Sequence, residues 1–193
     1  MRHLLTTTLI FFGFALSAQP PIVRLTNPSF EGEPQDATTP TGWHPCREAS
    51  TPDILPGPWG VYQEASEGNT YIGLICRPDG SREGIGQRLS TPLEANECYT
   101  MQLDLAYART YSGYNHPLRL RIWVADTRCG NQQLIYESEL ISHSTWKTYA
   151  FEFVTKSRYH YLILEALPPE GSVGVKGNIL IDHIRAIKPC VRA

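Results

Sequence analysis

Through the middle of this chain, apolar and polar residues exchange places at every second position. Leu103, Leu105 and Tyr107 alternate with Gln102, Asp104 and Ala106, and Leu118, Leu120, Ile122 and Val124 alternate with Arg119, Arg121 and Trp123. Pleated backbone imposes this period, because successive side chains leave a strand on opposite faces. Each segment therefore reads as a strand with one buried face and one wet face. Tyr149, Phe151 and Phe153 repeat the pattern against Thr148, Ala150 and Glu152, and Leu162, Leu164 and Ala166 repeat it against Tyr161, Ile163 and Glu165. Residues 59–63, 70–76, 85–90, 133–139 and 178–187 supply further strands, for a total of about ten. Fifteen prolines and fifteen glycines punctuate the chain, and no stretch repeats at helical spacing. The expected class is all-β, with two packed sheets or a closed barrel.

The N-terminus sets the compartment. Arg2 and His3 precede an apolar run from Leu9 to Leu16, and Ser17 and Ala18 then lead into Gln19-Pro20-Pro21. That is the layout of a secretory signal peptide over residues 1–18, cleaved between Ala18 and Gln19. The apolar run is too short to span a bilayer, and no second run of about 20 apolar residues follows. Residues 19–193 are expected to form a single domain of secreted or cell-surface protein. The leader carries one arginine and no acid, so its loss makes a chain of formal charge −2 more acidic still. Nucleic acid is not an expected partner.

All five cysteines (Cys46, Cys76, Cys98, Cys129 and Cys190) lie in the exported part, at spacings that match no zinc-ligand pattern. In an oxidising compartment they read as disulfides. Because five is odd, at least one thiol is free or bonded to another molecule. Residues 33–58 are rich in Pro, Thr and Gly with little periodicity, which reads as a long loop folded over the sandwich, with Cys46 as a staple.

Five segments resemble the galactose-binding-like β-jelly rolls, the two-sheet β-sandwich fold of many carbohydrate-binding modules. Asn27-Pro28-Ser29-Phe30-Glu31-Gly32 looks like the opening strand, and Gly68-Asn69-Thr70-Tyr71-Ile72-Gly73-Leu74 like the second. The stretch from Leu93 to Leu105, then Trp146-Lys147-Thr148-Tyr149-Ala150-Phe151, then Ile179-Leu180-Ile181-Asp182-His183-Ile184 follow in family order. The resemblance covers nearly the whole exported chain. It implies a structural calcium ion tying the first strand to the last, held by Glu31 and Asp182 with carbonyl oxygens around Ser29. It also implies that Cys98 pairs with Cys190, because their strands are antiparallel neighbours in this fold. Cys46 with Cys76 is the second bridge expected, leaving Cys129 free, out of the many connectivities that five cysteines allow.

The fold carries several functions, so the ligand has to be argued from side chains. The first candidate set is the outward-facing residues of the central strands: Gln102, Asp104, Arg119, Arg121, Trp123, Glu152, Tyr161 and Glu165. Aromatic faces stack on sugar C–H groups and charged side chains bond hydroxyls, and this set has both kinds. The same charges could equally pair across strands and keep an open sheet soluble. A second set lies in loops: Trp43, Trp59, Tyr62, Tyr111, Tyr114 and His143, with Tyr111-Ser112-Gly113-Tyr114-Asn115-His116 between two strands. Packing competes with recognition there, most strongly for the two tryptophans.

Catalytic motifs are missing: there is no Gly-x-Ser-x-Gly elbow, no His-Glu-x-x-His and no phosphate-binding glycine loop. Asp182 and His183 are strand neighbours whose side chains point apart. A glycoside hydrolase would have to draw on Asp104, Glu152 and Glu165. The expected function is a secreted, non-catalytic, lectin-like module for glycan or cell-surface polysaccharide. The alternatives are a cell-surface adhesion protein that binds protein and, further off, a hydrolase.

Overall fold

The computed structural model describes residues 20–191. The expected leader and its cleavage point fall outside the described residues. The strands are β1 (His44–Pro45), β2 (Asp53–Leu55), β3 (Tyr71–Cys76), β4 (Gly84–Leu93), β5 (Cys98–Ala106), β6 (His116–Pro117), β7 (Arg119–Ala125), β8 (Gln133–Glu137), β9 (Lys147–Val154), β10 (Tyr159–Leu167), β11 (Gly177–Asp182) and β12 (Lys188–Pro189). Among the described residues there is no α-helix, and no helix is long and apolar enough to cross a membrane.

Two sheets, antiparallel except for the short β6–β11 pairing, form a sandwich. One runs β1-β4-β10-β7-β8, and the other runs β12-β5-β11-β3-β2, with β9 paired to β5 and β6 paired to β11. The alternation read from sequence is what welds them. Met101, Leu103 and Leu105 of β5, Ile179 and Ile181 of β11, and Ile72 and Leu74 of β3 point inward from the second sheet. They meet Leu120, Ile122 and Val124 of β7, Leu162, Leu164 and Ala166 of β10, and Ile85 of β4. Each is fully or almost fully buried, and each such aliphatic stabilises the fold by roughly 1.5–3 kcal/mol relative to an exposed one. The chain ends close the structure: Val23 bridges Ile187, and the Ile184 N–H donates to the Pro28 carbonyl at 3.0 Å. The opening segment and the region after β11 are thus neighbours, as the resemblance implied.

Two local expectations are corrected. Residues 59–63 form no strand; Pro58–Gly60 makes a single 3₁₀ turn with Trp59 at φ 57°. The segment 33–58 is not wholly irregular, since it contributes β1 to one sheet and β2 to the other.

The disulfides divide the same way. Cys98 is bonded to Cys190, as expected, with the Cys190 N–H donating to the Cys98 carbonyl at 3.0 Å. Cys46, however, is bonded to Cys129, and the free thiol is Cys76. The reason is facial. Cys76 shares the inward register of Ile72 and Leu74, so it is core, where burial pushes its thiol up to about 12. Cys46 lies on the outer surface of the opposite sheet with Ala125 and Ile163, the side from which Cys129 approaches. Only glycine fits beneath it at position 86, where an added Cβ would stand 2.8 Å from the Cys46 sulfur.

Candidate functional site

Period two sorts the expected ligand face into two groups that never meet. Gln102, Asp104 and Glu152 leave the outer surface of the seven-stranded sheet, whereas Arg119, Arg121, Trp123, Tyr161 and Glu165 leave the outer surface of the five-stranded sheet. The hydrophobic core separates them. One shared wet face is therefore corrected to two opposite faces, because alternation assigns a side chain to the inside or the outside without saying which sheet carries it.

Several of these side chains are not wet at all. Glu165 is fully buried: the Nε atoms of Arg47 and Arg82 lie 2.8 and 2.7 Å from its Oε1, and the Trp123 indole N–H donates to Oε2 at 2.8 Å. Burial opposes the charge, but Arg47, Trp123 and Arg82 outweigh it and hold the carboxyl below the ordinary range. Arg119 and Arg121 both pair with Glu137. On the other face, Asp104 is covered by the loop before β3. Burial opposes its charge too, yet the hydroxyls of Thr148 and Ser66, each at 2.7 Å, and Arg185 at 3.0 Å hold it low. Gln102 and Glu152 stay exposed, and Tyr161 is half-buried against His44. Asp104 and Glu165 lie on opposite faces, so these two acids cannot flank one bond.

The loop set assembles into something more open. Asn178, buried on β11, donates to the carbonyls of Ala108 and Tyr114 at 2.8 and 2.7 Å and accepts the Ala108 N–H at 2.9 Å. These bonds pin residues 108–115 across the outer surface of the seven-stranded sheet. Tyr111 is driven down onto β3 at Gly73, where an added Cβ would sit 2.5 Å from the tyrosine oxygen. Its hydroxyl donates to Asp53 Oδ2 at 2.5 Å. Tyr111 is consequently a buried floor, while Tyr114 remains half-exposed, with the Lys176 ammonium 5.9 Å from its ring centre.

Asp53 and Arg77 complete the site. Asp53 Oδ1 accepts the Ala37 N–H at 2.8 Å; burial pushes the carboxyl up, against the opposing pull of the Tyr111 hydroxyl, the Ala37 N–H and the Trp59 indole. Arg77, just past β3, donates from Nη2 to Glu83 at 2.5 Å and to the Thr51 hydroxyl at 2.9 Å. Its Nη1 is buried and has no hydrogen-bond partner. Above these groups stands Trp59, 47% exposed and held in left-handed backbone. Together they line a cavity of about 200 Å³. Tyr62 is 77% exposed in the segment that follows Trp59. Trp43 is buried on Phe30 with its N–H on the Asn27 carbonyl, and His143 is tied to Tyr149 and the Thr145 carbonyl, so neither serves the cavity.

Sequence reading missed Asp53, Arg77 and Thr51. Asp53 had a signal, an acid inside the apolar run Pro52-Asp53-Ile54-Leu55-Pro56, whereas Arg77-Pro78-Asp79-Gly80 reads only as a turn.

The expected calcium ligands converge on one segment. Glu31 accepts the N–H groups of Asn69 and Thr70, and Asp182 Oδ2 accepts those of Ser66 and Glu67 at 2.7 and 2.9 Å. Burial raises Asp182 to about 7 despite these bonds. Ser29 is buried between the two regions that the Pro28–Ile184 bond joins.

No protein-family model matches the chain, and no curated protein matches it. Solved structures do. The CBM22-1 xylan-binding domain of Paenibacillus barcinonensis Xyn10C is 16% identical over 86% of this chain and 93% of that one, with a TM-score of 0.53. The fold is the β-sandwich of carbohydrate-binding modules. TmCBM61, solved in complex with beta-1,4-galactotriose, is 15% identical over 86% of this chain and 97% of that one, with a TM-score of 0.50. A cyclase from Fischerella sp. TAU, solved with 4-(1H-indol-3-yl)butan-2-one, is 18% identical over 90% of this chain and all of that one, with a TM-score of 0.61. At these identities the likeness is one of fold, and the same sandwich houses both binding modules and an enzyme.

Proposed function

We propose that this protein is a secreted, non-catalytic module that binds carbohydrate in the Asp53–Arg77 cavity. The observation that carries it is the pairing of a half-exposed tryptophan with an arginine that has an unpartnered buried amino group, above a carboxylate. Sugars need both an aromatic face and polar groups aimed at hydroxyls, and few-polar, partly aromatic cavities are the usual form of such sites. Two disulfides and the carbohydrate-module neighbours agree with an extracellular setting. Asp104 and Glu165, two of the three acids open to hydrolysis, are bonded into opposite faces, which supports binding over catalysis.

A glycan array probed with the exported domain tests the proposal, followed by Trp59→Ala and Trp123→Ala on whatever is retained. The expected result is loss of binding with the first variant only. Retention by Trp59→Ala with loss in Trp123→Ala would move the site to the five-stranded face.

We further propose calcium for the residues that the resemblance assigned to it. Glu31 and Asp182 are hard oxygen donors gripping the same 66–70 segment, and burial leaves Asp182 short of compensating positive charge. A bound calcium ion would supply that charge and hold the first segment to the last. Chelation should then lower the melting temperature, and Glu31→Gln with Asp182→Asn should abolish the difference.

A further inference from the structure

We infer that the Asp53–Arg77 cavity accepts a single neutral, chain-terminal sugar residue, and that the rest of the glycan leaves across Trp59 into the groove formed by Pro34, Gln35, Asp36 and Pro58. This inference rests on the carbohydrate-binding proposal and goes further in naming the end and the charge of the ligand.

Size gives the first argument. At about 200 Å³ the cavity lies below the roughly 300–1,000 Å³ of pockets that enclose drug-sized ligands, so it suits one ring and not a run of them. Its base is closed by Ile75 and Tyr111, both buried, so a chain cannot pass through.

The polar groups give the second. Arg77 Nη1 is a donor without a partner, and buried donors left unmade are costly. Asp53 accepts from Tyr111 and Ala37, with the Trp59 indole as a third donor toward it, and a carboxylate has about four acceptor sites. Arg77 and a carboxylate with acceptor capacity to spare line one cavity. Adjacent hydroxyls complement that arrangement, one oxygen accepting from Arg77 and the other hydroxyl donating to Asp53.

Charge selects neutral over anionic. The Arg77 guanidinium is already neutralised by Glu83 at 2.5 Å. Asp53 adds a carboxylate, and Asp36 stands close enough to be felt by it. A uronate would add another carboxylate beside Asp53 and Asp36 where the lining guanidinium is already spent on Glu83, and like charges in a desolvated cavity repel.

Trp59 gives the exit. It borders the cavity on one side and the more open depression of Pro34, Gln35, Asp36 and Pro58 on the other. Its left-handed backbone, unusual for a bulky residue, is the kind of local strain that collects at binding sites.

The test is calorimetric titration of the exported domain with three probe sets: methyl glycosides of neutral sugars, the matching uronic acids, and linear oligosaccharides of one to six residues. Affinity should rise from mono- to disaccharide and then level off, and binding to polymer should follow the number of chain ends. Asp53→Asn, Arg77→Gln and Trp59→Ala should each weaken the neutral probe at least tenfold. Trp59 is exposed, so its variant keeps the test valid should the other two fail to fold. Affinity that climbs through the hexasaccharide would overturn the terminal-residue inference, and uronic acids that bind the wild-type domain as tightly as the matching neutral sugars would overturn the neutral one. Sugar binding untouched by all three variants would overturn this cavity's role while sparing the carbohydrate reading. Failure of the wild-type domain to bind any sugar would sink the carbohydrate reading as well.

Discussion

Each outer face of this sandwich buries a carboxylate beside an arginine and a tryptophan, yet the two faces are built to different ends. On the five-stranded side, Glu165 receives Arg47, Arg82 and the Trp123 indole, which hold its charge below the ordinary range. On the seven-stranded side, burial raises Asp53, Arg77 keeps one amino group unbonded, and Trp59 reaches into solvent. The first site is closed by its own protein. The second has hydrogen-bonding capacity left over beside an empty volume. An aromatic and a charged residue on a sheet face are therefore not enough to mark a binding site; what distinguishes one is whether the surrounding protein has already satisfied them.

The largest effect should come from opening the closed face. Glu165→Gln leaves two guanidiniums facing a neutral amide, and removing one partner of a buried pair costs about 3–5 kcal/mol. The loss should fall at the lower end of that range, because Arg47 and Arg82 both reach water. Urea unfolding measures it, and sugar binding at 25 °C should be unchanged. A variant that loses binding but not stability would erase the contrast between the faces.

Next in size, Cys46→Ser with Cys129→Ser should cost about 2–4 kcal/mol by freeing the loop that this bridge closes. Cys76→Ala should leave the disulfide map intact. Non-reducing peptide mapping that joined Cys46 to Cys76 would contradict the facial assignment of both residues.

Trp59→Ala should then weaken sugar by more than about 1 kcal/mol, as expected for an aromatic anchor, while unfolding shifts by no more than about 0.5 kcal/mol. Trp123→Ala should do the reverse, because its indole N–H is committed to Glu165.

The smallest expected difference is in pH dependence, and it has opposite signs at Glu165 and at Asp53. Glu165 is lowered on folding, so its stabilisation is present above its unfolded value of about 4.5 and is lost as pH falls through its folded value. Asp53 and Glu83 are raised by burial, so their contribution is full below about 4 and declines as pH rises through their folded values. Stability measured from pH 3 to 8 should therefore lose part of its acid limb in Glu165→Gln and part of its neutral decline in Asp53→Asn. Identical profiles for both variants would remove the electrostatic half of the comparison.

The strands were legible because period two is local: any segment with one buried face writes its hydrophobic pattern into adjacent residues, and β5, β7, β9 and β10 appeared where that pattern stood. For the same reason the inward sense of Leu103 and Leu120 followed directly. The Cys98–Cys190 bridge followed from the family order of the motifs. What the pattern could not carry was the identity of the sheet, since β5 and β7 have the same alternation but lie on opposite sides of the core. That ambiguity merged two outer faces into one ligand surface and sent Cys46 toward Cys76. Nor could it show that Tyr111 turns inward over Gly73 or that Arg77 meets Thr51 and Glu83, because those contacts are made by loops pinned through Asn178, whose partners lie about 70 and 64 residues away. The sequence by itself determined an all-β fold and which side of each strand is apolar, both consequences of backbone geometry. The tertiary structure decided which face is closed and which is open, because hydrogen-bond satisfaction depends on groups that only the packed chain brings within 3 Å of each other.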